Sequence, residues 1–278
     1  MMKILNHSKP DTFCYHVSVM DKPRCLIVRT AGTNCDMELA HAFELAGASA
    51  QKLHINELIA NPALIGDFEL IGFPGGFSYG DDIAAGRILA NRLRHKLMDQ
   101  LLAAADRGVP MIGICNGFQV MVKLGLLPDP HAGTQTATLA DNESGRFTTK
   151  WVNMTVPAET CCVWTKGLTE LDLPIAHAEG RFVPQSDEAL ARWNDNGQIA
   201  IKYAADNNPN GSTADIAGVC DPSGLILGLM PHPERWIHIT NHPHWQRKGE
   251  AFKSQTPAGL KMFQNVVEHV TASTPATA

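Results

Sequence analysis

Short apolar runs alternate with amphipathic stretches along the first half of the chain, and this alternation predicts strands separated by helices. The expected order is a strand at 25–29, a helix at 36–46, a strand at 50–54 and a short helix at 56–60. A strand at 69–73, a glycine-rich loop at 74–82, a long helix at 84–107 and a strand at 109–114 follow. In the long helix Ile88, Leu89, Leu93, Leu97, Leu101 and Leu102 recur at three- and four-residue spacings, with Arg92, Arg94, Lys96 and Asp99 between them, so one face packs on a sheet. Strands and helices in this order predict an α/β fold of flavodoxin-like type, a mainly parallel sheet with helices on both faces. Right-handed crossovers bring the carboxyl ends of the parallel strands to one edge, where the 74–82 loop and residue 115 both fall.

Beyond Pro130 the rhythm changes. Segments 147–156, 161–164, 175–183 and 198–203 read as strands with few long helices between them, a mixed or antiparallel C-terminal extension of the same sheet. Residues 216–220, the turn Asp221-Pro222-Ser223-Gly224 and residues 225–230 form a strong hairpin signal that leads into Pro231-His232-Pro233-Glu234. A last amphipathic helix is expected at 258–270. The polar stretch 236–253, with His238, His242 and His244, reads as a solvated loop. Residues 1–22 lack sustained periodicity and read as an N-terminal extension, 23–271 as one domain, and 272–278 as a flexible small-residue tail.

Composition narrows the class. The 278 residues are 44% hydrophobic and 18% charged with a net charge of −5, which describes a globular protein and excludes a nucleic-acid binder or a disordered chain. No apolar run is long enough for a membrane span, and residues 1–22 lack the apolar core of a signal peptide, so a cytoplasmic protein is expected. Seven cysteines with no C-x-x-C spacing indicate neither a disulfide framework nor a structural zinc site. Adjacent Cys161 and Cys162 would point to opposite faces of a strand, which argues against a shared metal or redox role.

The run Val109-Pro110-Met111-Ile112-Gly113-Ile114-Cys115-Asn116-Gly117-Phe118-Gln119 carries the chemistry. A buried strand ending at a cysteine flanked by glycines is the thiol counterpart of the G-x-S-x-G elbow, whose small neighbours permit a strained turn that lifts the nucleophile above the sheet. The amide groups at the start of the following helix favour a thiolate. The competing reading makes Cys115 a small buried hydrophobe, with its glycines serving only to pack helix on sheet. Partners elsewhere in the chain decide between them. His232 and Glu234, two apart in backbone stiffened by Pro231 and Pro233, fit a base and the carboxylate that orients it. Backbone N–H groups of Gly75-Gly76 and of Asn116 are candidate oxyanion donors. No Gly-Lys-Ser/Thr follows the glycines, so this loop is not a P-loop.

Together these residues resemble the class I (triad) glutamine amidotransferases, marked by G-x-C-x-G-x-Q and H-P-E. Gly32-Thr33-Asn34-Cys35-Asp36, Pro74-Gly75-Gly76-Phe77-Ser78-Tyr79-Gly80-Asp81, Ala176-His177-Ala178-Glu179-Gly180-Arg181-Phe182 and Met230-Pro231-His232-Pro233-Glu234-Arg235 narrow the resemblance to the glutaminase subunits of phosphoribosylformylglycinamidine synthase, from about residue 24 to 270. The resemblance implies that Cys115 attacks the side-chain amide of glutamine, His232 moves protons and Glu234 orients it. It implies that Gln119, with Gly75 and Phe77 of the loop, contacts the substrate while Gly76 and Asn116 line the oxyanion site. It further implies no cofactor in this chain, with ATP and Mg on a larger synthetase partner, and a small accessory subunit as a further partner. Segments 78–87 and 176–182 are the expected synthetase-facing candidates.

The chain departs from the family pattern in its first 22 residues, in Arg29-Thr30-Ala31 before the first loop, and in a longer segment at 236–257. Two rival readings are a stand-alone cysteine hydrolase of the DJ-1/PfpI type and a non-enzymatic regulatory module on the same fold. The first commonly has His directly after the cysteine, where this chain has Asn116. The second fits a chain lacking a triad member, whereas all three are present here.

Overall fold

The computed structural model describes residues 22–273, so the expectations for residues 1–21 and 274–278 lie outside the described residues. The first half contains β1 (Arg24–Arg29), α1 (Asp36–Leu45), β2 (Ser49–His54), α2 (Ile55–Ala60), β3 (Leu70–Phe73), α3 (Arg87–Lys96), α4 (Met98–Asp106), β4 (Met111–Ile114) and α5 (Asn116–Leu124). The second contains β5 (Ala137–Ala140), β6 (Thr148–Thr155), β7 (Glu170–His177), β8 (Arg181–Pro184), α6 (Asp187–Asp195), β9 (Ile199–Tyr203), β10 (Ile216–Cys220), β11 (Ile226–Leu229), α7 (Glu250–Lys253) and α8 (Ala258–Ser273).

One sheet runs in the order β2-β1-β3-β4-β11-β10-β9-β6-β7, and β5 pairs with β8 in a separate ribbon. The pairs β1–β2, β1–β3, β3–β4 and β4–β11 are parallel. From β11 outward every pairing is antiparallel. The parallel part has the flavodoxin-like order, and the antiparallel part is the extension expected from the hairpin at 216–230.

Glycines show how helices cover both faces. A side chain at Gly72 of β3 would meet Leu39 of α1, whereas one at Gly113 of β4 would meet Met121 of α5. Gly113 lies opposite Phe73, the neighbour of Gly72. Consecutive strand residues point to opposite faces, so α1 and α5 cover opposite sides of the sheet. On the α1 side, Phe43, Trp164 and Phe263 of α8 form an edge-on aromatic cluster. On the α5 side Phe118 stacks on Phe182 of β8, which meets Trp193 of α6 and so joins the small ribbon to the core.

Several local expectations are corrected. The helix expected at 84–107 is two, α3 and α4, divided at Leu97, whose φ of −138° leaves the helical region without any glycine or proline to signal it. Leu97 is itself buried, as are Leu93 and Leu101 on either side, so packing sets the bend. Residues 161–164 are not a strand but lead into a 3-10 turn at Val163–Thr165. The 175–183 strand is divided between β7 and β8, and β5 and α6 had no expected counterpart. Helix α8 continues to Ser273, into the segment read as tail.

The 236–253 segment is not simply solvated. His242 is 1% exposed, its Nε2 lies 2.9 Å from Asp172 Oδ2 on β7, and its ring packs among Trp151, Trp236 and Phe252. Polar composition concealed this because the apolar partners come from β6 and from the ends of the segment.

Candidate active site

Cys115 sits between β4 and α5 with φ 51° and ψ −106°. A positive φ is strained for a cysteine and persists only where the surroundings over-determine it. Those surroundings are visible. Its N–H donates to Leu229 O of β11 at 2.8 Å, and its carbonyl accepts from Gln119 N at 3.1 Å. A side chain at Gly117 would lie 1.9 Å from Phe73 O, and one at Gly113 would lie 2.3 Å from Met121 Sδ. Only glycine at these positions lets α5 approach the sheet closely enough to hold the elbow.

The antiparallel half supplies the base. His232 follows β11, and its N–H donates to Pro174 O of β7 at 2.9 Å, fixing the segment to the next strand but several. Residues Pro233–Arg235 form a 3-10 turn with Pro233 at its first position. The side chains converge, with His232 Nδ1 2.5 Å from Glu234 Oε1 and both groups almost fully buried. Burial acts to lower the pKa of His232. The charge of Glu234 and hydrogen bonding with Cys115, Cys35 and Glu234 outweigh it and hold the imidazole well above the ordinary histidine range. With Nδ1 taken by Glu234, Nε2 is left facing the two thiols, in contacts too loose in geometry to be full hydrogen bonds. A protonated imidazole near a thiol favours the thiolate.

The N–H groups of Gly76 and Asn116 donate to no protein acceptor among the described residues, which leaves both available to a ligand. Gly76 adopts φ +136°, and any side chain there would strike Asn34 N at 2.7 Å. Gly75 lies against the imidazole, where an added Cβ would stand 2.9 Å from His232 Cε1. The Phe77 N–H is already used by Gly32 O at 2.9 Å, so of this residue only the half-exposed ring remains for contact. Both ends of the Gln119 amide are engaged, Nε2 with Glu179 O at 2.5 Å and Oε1 with Asn116 Nδ2 at 3.0 Å. That side chain shapes the wall.

Cys115, Gly76, Phe77, Asp81, Gln119 and His177 line a cavity of about 40 Å³. This is far below the roughly 300–1,000 Å³ of small-molecule pockets. A neighbouring cavity of about 640 Å³ is lined by Arg87, Arg94, Lys123 and Asp141, and Glu179 belongs to both walls. Around the small cavity the polar groups are tightly tied. Asn116 Nδ2 donates to Asp81 Oδ1 at 2.9 Å, Asn116 Oδ1 accepts from Ser78 N at 3.1 Å, and Asp81 Oδ1 also accepts from Gly86 N. Burial raises the Asp81 pKa, opposed by its bonds to Gly86 and Asn116. Burial lowers that of Lys123, opposed by Glu179 and Asp81.

Three contributors escaped the motif search. Cys35 accepts from Arg235 Nη2 at 3.0 Å and faces the imidazole of His232, although 200 positions separate it from Arg235. Asp81 ties the glycine loop to the residue after Cys115. His177 is 2% exposed, with Nδ1 3.0 Å from Asn142 Oδ1 and Nε2 without a partner. Burial, then the charge of His232, lowers its pKa to about 4. Each falls in a stretch quoted above for its family resemblance, which was the signal available. Cys35, His232 and Glu234 also place ligand atoms within 4.8 Å of one another. Glu234 holds the imidazole of His232 protonated, and a protonated ring has no lone pair to give a cation, so this cluster is acid–base machinery in form.

A flavodoxin-like sheet with a strained cysteine elbow beside a buried His–Glu pair defines the class, and the chain belongs to the glutamine amidotransferases, matching the CobB/CobQ-like glutamine amidotransferase domain over residues 22–270. It is 44% identical over 256 residues to phosphoribosylformylglycinamidine synthase subunit PurQ of Dehalococcoides mccartyi, covering 90% of this chain and 98% of that protein. It is 40% identical over 266 residues to the PurQ subunit of Methanococcus maripaludis, covering 89% and 97%. Within the amidotransferases it therefore falls in the PurQ family. A chain of the PurLQS structure from Thermotoga maritima superposes with a TM-score of 0.67 at 32% identity, covering 89% of this chain and 99% of that one.

Proposed function

We propose that this chain is the glutaminase subunit of phosphoribosylformylglycinamidine synthase in purine biosynthesis. It hydrolyses glutamine to glutamate and ammonia and passes the ammonia to a larger synthetase subunit. The observation that carries the reading is the buried His232–Glu234 pair against the Cys115 elbow, in a chain 44% identical to a PurQ subunit. In this reading the Cys115 thiolate adds to the side-chain carbonyl of glutamine, and the N–H groups of Gly76 and Asn116 receive the oxyanion. His232, held by Glu234, gives its proton to the departing ammonia. It then takes a proton from the water that cleaves the glutamyl thioester.

Glutamine needs more room than the roughly 40 Å³ beside Cys115, so the cavity widens when it binds. The walls able to yield are the 77–86 loop and Glu179, whose carboxylate holds Ala85 N at 3.2 Å. Gly75 and the ring of Phe77 contact the substrate, and Gln119 keeps its wall in place. We assign ATP and Mg to the synthetase and none to this chain. The likeness to a chain of the Thermotoga maritima PurLQS structure supports a synthetase partner and motivates a small accessory subunit as a second one. The chemistry belongs to the cytoplasm.

Labelling with a diazo-ketone analogue of glutamine tests substrate and nucleophile together. Peptide mapping is expected to find the adduct on Cys115 alone, with glutamine protecting it. An adduct on Cys35, or labelling indifferent to glutamine, would overturn the assignment. Glutamate release is expected to rise when the synthetase is added, and equal rates would indicate an independent hydrolase.

A further inference from the structure

Away from the glutamine site, three further cysteines gather where β10 ends. Cys220 is fully buried at the last position of β10, and its Sγ lies 3.6 Å from Cys161 Sγ. Cys162, buried beside them, also hydrogen-bonds toward Cys220. Cys161 is exposed to solvent. The pair sits at the far end of the hairpin from the elbow. Cys220 pairs with Leu227, which lies beside Ile112, whereas Leu229 O is the group that holds Cys115 N.

The backbone around Cys161 is held in register with this partner. Its N–H donates to Gly197 O at 2.9 Å, and Val163 N donates to Gly224 O at 3.0 Å. Glycine is required at position 224, where φ is +74° and a side chain would stand 2.1 Å from Cys161 O. The short distance between the sulfurs is thus imposed from both sides of the segment, across 59 positions of sequence. A disulfide requires closure to about 2.05 Å. The sulfurs must therefore approach by about 1.5 Å from their 3.6 Å separation.

The two thiols differ in character. The hydrogen bond from Cys220, the largest influence, lowers the pKa of Cys161 to about 7 against the opposing effect of burial. Cys220 is pushed far upward by its bonds with Cys161 and Cys162 and by burial. An accessible thiolate beside a protonated, buried thiol is the division between an attacking and a resolving cysteine.

We propose that Cys161 and Cys220 form a redox-active dithiol, separate from the glutamine site, that a hydroperoxide oxidises to an intramolecular disulfide. The Cys161 thiolate attacks one peroxide oxygen, the O–O bond breaks, and the displaced hydroxide leaves as water after taking a proton. Cys161 is then a sulfenic acid. Cys220 gives up its proton and attacks the Cys161 sulfur, and the sulfenic oxygen leaves as a second water. Two thiols and one hydrogen peroxide yield one disulfide and two waters, with two electrons passing from sulfur to peroxide. A dithiol reductant returns the disulfide to two thiols by exchange, becoming a disulfide itself.

The whole chain, treated with one equivalent of hydrogen peroxide, denatured, alkylated without reduction and mapped by mass spectrometry, is expected to yield a Cys161–Cys220 linked peptide. The link disappears on reduction. In Cys220→Ser the oxidation stops at Cys161, where dimedone traps the sulfenic acid, and in Cys161→Ser neither product forms. Before oxidation, iodoacetamide at pH 7 modifies Cys161 about ten-fold faster than Cys25 or Cys220. Glutamate release by Cys161→Ser stays at the level of the parent chain, which separates this test from that of the glutaminase reading. A link from Cys162 to Cys220 in place of Cys161, or a Cys161 still fully alkylated after peroxide, would overturn the proposal.

Discussion

The parallel and antiparallel halves of the sheet contribute to the same site by different physical means. The parallel half presents Cys115 through backbone geometry: a positive φ, two glycines without room for a side chain, and hydrogen bonds to α5 and β11. The antiparallel half presents His232 through electrostatics, since a buried imidazole is held charged by Glu234 and flanked by two cysteines. The nucleophile's position therefore depends on shape and tolerates little change in volume. The base depends on charge and tolerates little change in ionisation.

Removing the nucleophile is the largest perturbation. Cys115→Ala deletes one sulfur from a site already shaped by glycines, so glutamate release is expected to fall at least about 10⁴-fold with the melting temperature nearly unchanged. Retained turnover in a steady-state assay would remove Cys115 from the chemistry. On the other side of the comparison, Glu234→Gln keeps the shape and removes the charge. A loss of roughly 10²- to 10⁴-fold in turnover is expected, together with a lower His232 pKa followed by NMR. If the imidazole titration does not move, the charge of Glu234 is not what sustains it.

The wall between the halves responds to pH. His177 ionises at about 4 in the folded protein against about 6.5 in an unfolded chain, so the unfolded state binds more protons between these values. Its contribution to stability is complete above pH 6.5 and is lost as pH falls toward 4, amounting to about 3 kcal/mol. Urea denaturation at several pH values, compared with His177→Gln, isolates this part. Identical pH slopes in the two proteins would refute it.

Asp81→Ala is expected to have the smallest effect. It frees Asn116 Nδ2 and Gly86 N without touching substrate, so kcat/KM should fall about ten-fold while Asp81→Asn, which keeps one acceptor oxygen, recovers part of it. No difference between the two variants in a glutaminase assay would assign Asp81 a purely structural part.

These differences also explain what could be read before folding was considered. In the parallel half β1, β3 and β4 are continuous apolar runs joined by local connections, so β1, α1, β3 and the elbow emerged close to their observed bounds. In the antiparallel half β6 and β7 are buried on one side only, and the strands depend on one another for pairing. The break between β7 and β8 and the turn at Val163–Thr165 follow from pairing and packing and carry no strong local signal, whereas helix α6 is marked locally by its Ser186 cap and by Asp187 and Glu188 in its first turn. Among the candidate residues, Gly75, Gly76, Cys115, Asn116 and Gln119 do gather with the His232–Glu234 pair. Phe77, expected as a substrate contact, has its N–H taken by Gly32 O and presents its half-exposed ring.

What the chain alone determined is the set of chemical parts: a cysteine between glycines after an apolar strand, a histidine and a glutamate stiffened by prolines, and a glycine pair free to approach a ligand. These depend on residues a few positions apart, where side-chain periodicity and backbone freedom act directly. Only the tertiary structure decided which distant groups meet. Cys35 reaches Arg235 across 200 positions, Cys161 reaches Cys220 across 59, and Asp172 buries the imidazole of His242 across 70. Such pairs are set by strand register and by helices packed through glycine gaps, and a one-residue slip would separate them without altering a single local motif.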